Sequence, residues 1–244
     1  MTTICYDKDH DLKLDLRLPE KENPPLFIYM HGGGLEAGGR GDFSDAAEYL
    51  ASVGIASASL DYRMYPEAVF PEFIEDCAKA IAFLVNERGK EFSKIIVGGS
   101  SAGAYISMML LFDKRYLGKY GLEPLSFDGW FLNAGQPTTH FNVLRERGLD
   151  TRLVRVDEAA PIWFIDREFK SIREDGKLPL VMNISSSLDM ACRLEQLKLL
   201  EATMRHFGYP VDRLRFEYMN GYGHCEYDHL PVFGKLIADF VRAC

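Results

Sequence analysis

The alternation of short strand-like runs with segments of helical periodicity restricts the fold of this chain more than any other feature. The run PPLFIYM before His31 is apolar throughout, which is typical of a strand covered on both faces. In FIEDCAKAIAFLVNERG the apolar residues recur every three or four positions, which predicts a helix. Strands and helices continue to alternate to the end of the chain. This order predicts an α/β fold with a mostly parallel, doubly wound central sheet and helices on both faces.

The first strands are expected to differ from the rest. LKLDLRL alternates leucine with charged residues, as in a half-buried antiparallel strand. The preceding ICYD can pair with it through the turn DKDH. We therefore expect this hairpin to form the antiparallel edge of the sheet.

One region does not follow the alternation. Residues 136–177 contain no clean strand and are too apolar for a disordered segment. Long excursions inside compact domains are usually functional. Since 244 residues with 47% hydrophobic content fit one α/β domain, we expect a single domain over 1–244 with a small cap insertion at about 136–177.

Composition excludes several classes of partner. The net charge of -8 and the pI near 5.3 argue against nucleic acid and against an anionic membrane surface. Five cysteines without a repeated spacing indicate neither a disulfide framework nor a zinc site. The sequence shows no signal peptide and no apolar stretch long enough for a bilayer. These features predict a cytoplasmic protein without integral membrane association that acts on a small molecule, and they leave a homo-oligomer open.

The corner between the run IIVGG and the following helix contains two serines. Gly99 to Gly103 matches G-x-S-x-G with Ser101 at its centre, the pattern of a sharp turn that exposes a nucleophile at a helix N-terminus. Alone this pattern also occurs in structural loops. The earlier run HGGG supplies main-chain N–H groups, so that Gly33, Gly34 and Ala102 can form an oxyanion hole. HGGG lacks the lysine and hydroxyl of a phosphate-binding loop.

A serine nucleophile needs a base that a third group orients. His224 follows the last predicted strand, whereas His229 reads as a surface residue at a helix start. The cluster HCEYDH lacks the spacing of a metal site, so no metal is expected.

For the orienting acid, Asp189 follows the strand LPLVMNISS and precedes a helix. Asp228 is the rival if the loop after His224 folds differently, and the carboxylates Asp157, Asp166 and Asp175 lie in the predicted cap. Leu35 and Glu36 directly follow the HGGG loop, His31 to Gly34, and are predicted to contact substrate, although Glu36 equally fits a solvated loop position.

These residues resemble the α/β-hydrolase family, in particular hormone-sensitive-lipase-like proteins and small bacterial carboxylesterases. The resemblance runs through nearly the whole chain and rests on five motifs in the family's order, namely HGGG, the stretch beginning LDYRMYPE, the elbow at Ser101, SSSLDMA at Asp189 and GYGH at His224. It implies the α/β-hydrolase fold and ester hydrolysis by a Ser101, His224 and Asp189 triad without a cofactor.

The chain departs from this family in four places. Ser100 stands where relatives often have an acid, Ala104 replaces a glycine, the segment of Asp189 lacks the usual glycine before it, and the long N-terminal cap typical of the family is not expected. A more open site is therefore expected, similar to that of compact esterases for acetylated or feruloylated carbohydrates. The prediction is a serine carboxylesterase for short-chain acyl esters. An amidase or peptidase of the arylformamidase or prolyl-peptidase type, or a ligand receptor without activity, remains an alternative.

Overall fold

The computed structural model describes residues 1–244, which form eight strands and seven helices. In chain order the elements are β1 (Thr2–Asp7), β2 (Leu12–Arg17), β3 (Leu26–Met30), α1 (Ser44–Ser52), β4 (Ala56–Leu60), α2 (Glu72–Arg88), β5 (Ile95–Ser100), α3 (Ala102–Phe112), α4 (Lys114–Gly118), β6 (Gly129–Asn133), α5 (Phe141–Glu146), β7 (Leu180–Leu188), α6 (Arg193–His206), β8 (Leu214–Gly223) and α7 (Pro231–Ala243).

All eight strands belong to one sheet with the order β1-β2-β4-β3-β5-β6-β7-β8. The pairs from β4 across to β8 are parallel, whereas β1 and β2 pair antiparallel with their neighbours. The prediction of a mostly parallel sheet with an antiparallel edge hairpin is thus confirmed. Because the parallel strands all point one way, their carboxyl ends meet at one edge, where ligands bind in folds of this kind.

The helices cover both faces of the sheet and form a hydrophobic core with each face. The larger core collects side chains from α2, α3 and α6 against one face. The smaller core, on the other face, is built from α1 and α7 and contains Phe27, Phe43, Phe131 and Phe233. Helix α3 is buried along its whole length, which explains why its sequence AGAYISMMLLF has no polar side. Burial on this scale holds the start of α3 rigidly at the sheet edge.

Residues 136–177 contain little regular structure. They form α5 and a short 3-10 turn over Pro161–Phe164, and the remainder is irregular. Tyr105 in α3 donates a hydrogen bond to the carbonyl of Ala159 at 2.8 Å, and Thr139 N donates to the carbonyl of Arg155. The segment is therefore bound to α3 and to itself rather than detached from the domain. That it acts as a cap stays a prediction.

The strands at the far edge are longer than the sequence pattern indicates. Strand β8 continues past Gly221 to Gly223, and β7 continues to Leu188. The cause is pairing between these two ends, where Leu188 lies opposite Gly223 beyond an irregularity in the register. None of the helices has the length and apolar composition needed to cross a bilayer.

Candidate active site

The turn between β5 and α3 holds Ser101 in a strained conformation. Its backbone has φ 52° and ψ -111°, a region that non-glycine residues seldom adopt. The flanking glycines permit the turn. A Cβ at Gly103 would lie 1.9 Å from the carbonyl oxygen of Met30, and one at Gly99 would lie 2.5 Å from the same atom. Only glycine fits there, which is the physical basis of the G-x-S-x-G pattern.

The register of β7 and β8 brings His224 and Asp189 together. Leu188 and Gly223 are paired, and each is followed directly by one of these two residues. His224 Nδ1 lies 2.6 Å from Asp189 Oδ1, and His224 Nε2 lies 2.7 Å from Ser101 Oγ. The three side chains therefore form one hydrogen-bonded chain. In this arrangement the imidazole can take a proton from the hydroxyl while the carboxylate orients the ring.

The environment of Asp189 favours its ionised form. The carboxylate is only 3% exposed, and burial acts to raise its pKa. The hydrogen bond and charge of His224, the N–H of Met190 and the guanidinium of Arg193 outweigh burial and hold the pKa below its ordinary value. A carboxylate in this state stabilises the imidazolium that forms when the ring accepts a proton.

The glycine loop after β3 lies beside Ser101. Gly33 and Gly34 have positive φ angles of 104° and 66°, and both residues line the cavity that contains Ser101. Two main-chain groups of the loop are held by side chains. Asn142 of α5 donates to the carbonyl of Gly34 at 2.8 Å, and Tyr62 donates to the carbonyl of His31 at 2.9 Å. The loop is thus fixed before any ligand binds.

An open cavity of about 330 Å³ lies above Ser101. Its polar lining includes Tyr29, Asp42, His224, Asp228 and His229, and its apolar lining includes Phe141 and Met190. The volume is at the lower end of the range for small-molecule sites. The site can therefore take a small ligand, but not a long chain enclosed on all sides.

Two predicted substrate contacts lie elsewhere. The side chain of Leu35 is fully buried in the larger core, so the prediction that it contacts substrate requires correction. Its backbone turns inward with φ 68°, which local sequence gives no means of anticipating. Glu36 forms an ion pair with Arg145 of α5 at the protein surface and does not line the cavity.

The site also contains residues that the sequence pattern did not indicate. Phe141 lies against Gly34 and lines the cavity, and Asn142 holds the same loop. Both belong to residues 136–177, where the sequence offers no periodicity that would select them. Asp228, the rival for the orienting acid, accepts a hydrogen bond from Asn133 rather than from His224.

Nothing in the site indicates a metal centre. The structure has no group of three or more His, Cys, Asp or Glu side chains arranged to hold an ion. Within the cluster HCEYDH, His224 faces Ser101 and Asp189, while Glu226 accepts from the N–H of Gly223. The side chains of His224 and Glu226 thus form hydrogen bonds with different partners and do not converge on one point.

Part of the chain is similar to proteins of known sequence. The BD-FAE family model matches residues 14–118. Carboxylesterase NlhH of Mycobacterium tuberculosis is 34% identical over 115 residues, which are 44% of this chain and 36% of that protein. The probable isoprenylcysteine alpha-carbonyl methylesterase ICMEL1 of Oryza sativa subsp. japonica is 30% identical over 114 residues, 45% of this chain and 27% of that protein. The matched part thus spans about a third of the length of these relatives.

Solved structures resemble the whole chain. An esterase of Thermogutta terrifontis with butyrate bound superposes with a TM-score of 0.76 and 19% identity, covering 99% of this chain and 93% of that one. Esterase B of Lactobacillus Rhamnosis gives a TM-score of 0.75 at 17% identity, covering 100% of this chain and 84% of that one. At such identities the likeness shows the fold.

The family-model match includes the HGGG loop and the turn at Ser101. The structural matches extend the shared fold to β7 and β8, which Asp189 and His224 directly follow. The predicted resemblance to carboxylesterases of the α/β-hydrolase family is confirmed. With its eight-stranded, mostly parallel sheet, the chain has the α/β-hydrolase fold of the solved esterases, and part of its sequence is similar to carboxylesterases.

Proposed function

We propose that this protein is a serine carboxylesterase that hydrolyses esters of short acyl chains. The observation that carries the proposal is the hydrogen-bonded chain from Ser101 through His224 to Asp189, at the floor of a cavity that also exposes Gly33 and Gly34. Nucleophile, base and orienting acid in this geometry are the requirements for acyl transfer through a covalent intermediate.

In the proposed reaction, Ser101 Oγ attacks the ester carbonyl while His224 Nε2 takes the hydroxyl proton. The resulting oxyanion accepts hydrogen bonds from the N–H groups of Gly33, Gly34 and Ala102, and each such donor contributes about 3 kcal/mol. When the intermediate collapses, the bond to the alcohol breaks and His224 returns the proton to the leaving oxygen. Water then attacks the acyl-enzyme in the same way, which releases the acid and restores the serine hydroxyl.

The size of the cavity supports short acyl chains. Phe141 and Met190 narrow the space beside Ser101, and about 330 Å³ leaves little room beyond a small acyl group and its alcohol. The Thermogutta terrifontis esterase has been solved with butyrate and with propionate bound, which agrees with this size.

The alcohol side of the cavity is polar. Asp42 and His229 provide hydrogen-bonding groups there, and no lysine or arginine lines it. Hydroxyl groups of an acetylated carbohydrate are suitable partners for such groups, so we propose a hydroxylated alcohol. We further propose that the protein acts in the cytoplasm.

The decisive experiment compares the hydrolysis of p-nitrophenyl acetate, butyrate and decanoate by wild type and by Ser101→Ala. We expect cleavage of acetate and butyrate, much slower cleavage of decanoate, and loss of nearly all activity in the variant. Ser52→Ala, which changes a serine at the end of α1, is the matched control and should behave as wild type.

A fluorophosphonate reagent provides a test that does not depend on the natural substrate. We expect one covalent adduct on wild type, located at Ser101 by mass spectrometry, and none on Ser101→Ala. If wild type cleaves none of the esters and takes up no label, the esterase proposal is wrong. Cleavage of a p-nitroanilide in preference to the esters would favour amide hydrolysis instead.

A further inference from the structure

Asp228 is a second buried carboxylate in the active-site cavity, and the proposed reaction assigns it no step. It lies on the 3-10 turn Glu226–His229, four residues after His224, and lines the same cavity as Ser101. Burial raises the pKa of this carboxyl to about 6, because hydrogen bonds from Ser100 and Asn133 and the charges of His229 and His224 offset only part of the lost hydration. A carboxylate kept in such a place at a cost in stability is typical of a functional group.

The hydrogen bonds of Asp228 lead to the turn that carries the nucleophile. Asn133, the last residue of β6, donates through Nδ2 to Asp228 Oδ1 at 2.8 Å and to Ser100 Oγ at 2.9 Å. Its Oδ1 accepts a hydrogen bond from the hydroxyl of Tyr227, so the amide is held at both ends. The main-chain carbonyl of Asn133 accepts from the N–H of Ser101 at 2.7 Å. One residue therefore contacts Asp228 through its side chain and the nucleophile through its backbone.

These contacts join two separate parts of the chain. His224 and Asp228 lie on the segment after β8, whereas Ser101 and Asn133 lie at the ends of β5 and β6. The bond between His224 and Ser101 breaks and reforms in each turnover as the proton moves. The bond between Asp228 and Asn133 takes no part in proton transfer, so it can hold the two segments in register while the first bond is broken.

We infer that Asp228 is a positioning residue that holds the segment carrying His224 on the nucleophile turn through the side chain of Asn133. The inference rests on the proposed esterase function. Correct placement matters because a displacement of about 1 Å between reacting groups is enough to slow an enzyme about 100-fold. The strained backbone of Ser101 increases the need for such support, since it persists only where the surrounding structure imposes it.

A direct contact between Asp228 and the substrate alcohol is the competing interpretation, because the carboxylate lines the cavity. The groups around it are Tyr29 from β3, Asp42 from the turn Arg40–Phe43, Ser100 from β5, and Cys225 and His229 from its own segment. The two interpretations differ in kinetics. A substrate contact would change KM and depend on the alcohol, whereas loss of positioning lowers kcat for every ester.

The test reverses the donor and acceptor of the hydrogen bond between Asn133 and Asp228. In Asn133→Asp two carboxylates face each other, and we expect kcat to fall between 10-fold and 100-fold with KM within twofold of wild type. Asp228→Asn keeps an acceptor for Asn133, so kcat should stay within threefold of wild type. The double variant Asn133→Asp/Asp228→Asn restores one donor and one acceptor, and kcat should return to within threefold.

Asp228→Ala removes the acceptor altogether and should lower kcat as much as Asn133→Asp does. All four variants are measured with two butyrate esters that differ in alcohol, and thermal unfolding establishes that each is folded. The isosteric changes keep the test valid if Asp228→Ala does not fold. Unchanged kcat in Asn133→Asp, a loss confined to KM, or a double variant no better than Asn133→Asp would overturn the inference.

Labelling by fluorophosphonate distinguishes a failure of the esterase proposal from a failure of the inference about Asp228. If wild type cleaves no ester but is labelled by fluorophosphonate, the rate of labelling replaces kcat, since His224 must activate Ser101 in that reaction as well. The same order of variants is then expected. If labelling is equally fast in wild type and Asn133→Asp, Asp228 does not position the site.

Discussion

At the scale of single residues, two carboxylates of the same cavity show opposite behaviour. Asp189 has a lowered pKa and Asp228 a raised one. Both are desolvated, Asp228 more deeply than Asp189, and their partners differ as well. Asp189 accepts from the ring nitrogen of His224, while Asp228 accepts from the neutral amide of Asn133. A group that meets a developing positive charge is stabilised as an anion, whereas a neutral donor compensates only part of the lost hydration.

This difference predicts unequal effects of removing the two charges. Asp189→Asn should lower kcat/KM about 10⁴-fold, because an amide at this position favours the wrong tautomer of His224. Asp228→Asn should change it less than threefold. Steady-state hydrolysis of p-nitrophenyl butyrate measures both, with thermal unfolding as the control for folding. Comparable activity of Asp189→Asn and wild type would show that another group orients the base.

At the scale of secondary-structure elements, helix α5 and the loop His31–Gly34 form one unit. His140 caps the helix by accepting from the N–H of Asn142 through Nδ1. Burial holds the pKa of His140 well below its ordinary value, so the ring stays neutral and keeps this acceptor. The cap sets the direction in which Asn142 reaches the carbonyl of Gly34. A helix of six residues thereby fixes the loop that presents the proposed oxyanion donors.

Asn142→Ala should therefore reduce kcat by about tenfold, because a looser loop aligns its N–H groups less well with the oxyanion. The effect is smaller than the loss of a whole oxyanion donor, which lowers kcat about 100-fold or more. Arg145→Ala is the matched control on the same helix. Its ion pair with Glu36 is largely exposed, and such pairs contribute about 0 to 1 kcal/mol, so we expect almost no change. Both are measured as kcat for p-nitrophenyl acetate. Equal effects of the two substitutions would contradict this role of Asn142.

At the scale of the whole molecule, the fold tolerates a buried carboxylate that lowers its stability. The pKa of Asp228 is raised from an ordinary value of 3.8 to about 6. Below both values the carboxyl is protonated in the folded and unfolded states and has no effect. As the pH rises from 4 to above 6, the unfolded state loses the proton more readily, and the folded state is destabilised.

Asp228→Asn cannot ionise, so its stability relative to wild type should increase with pH. Each pH unit between the two pKa values corresponds to about 1.4 kcal/mol, which predicts a relative gain of about 2 kcal/mol between pH 4 and pH 7.5. Urea unfolding at several pH values measures the difference, and titrations shared by both proteins cancel. A constant difference across this range would show that Asp228 is not desolvated.

Local sequence patterns were sufficient to predict the strands, the helices and the position of the turn at Ser101. A Cβ at Gly99 or Gly103 collides with backbone, and this requirement is visible in five consecutive residues. His224 and Asp189 were selected because parallel strands end at one edge, although the sequence left Asp228 as a rival acid. Their contact depends on the pairing of Leu188 with Gly223, an extension that neither strand indicates alone.

The sequence by itself determined the order of strands and helices, the antiparallel edge hairpin and the corner at Ser101, because periodicity and glycine requirements act between neighbouring residues. Only the tertiary structure decided that Leu35 packs in the core, that Phe141 and Asn142 of α5 contact Gly34, and that Asp228 accepts a hydrogen bond from Asn133. These contacts join residues far apart in the chain. Their geometry follows from the packing of whole elements, which no local pattern encodes.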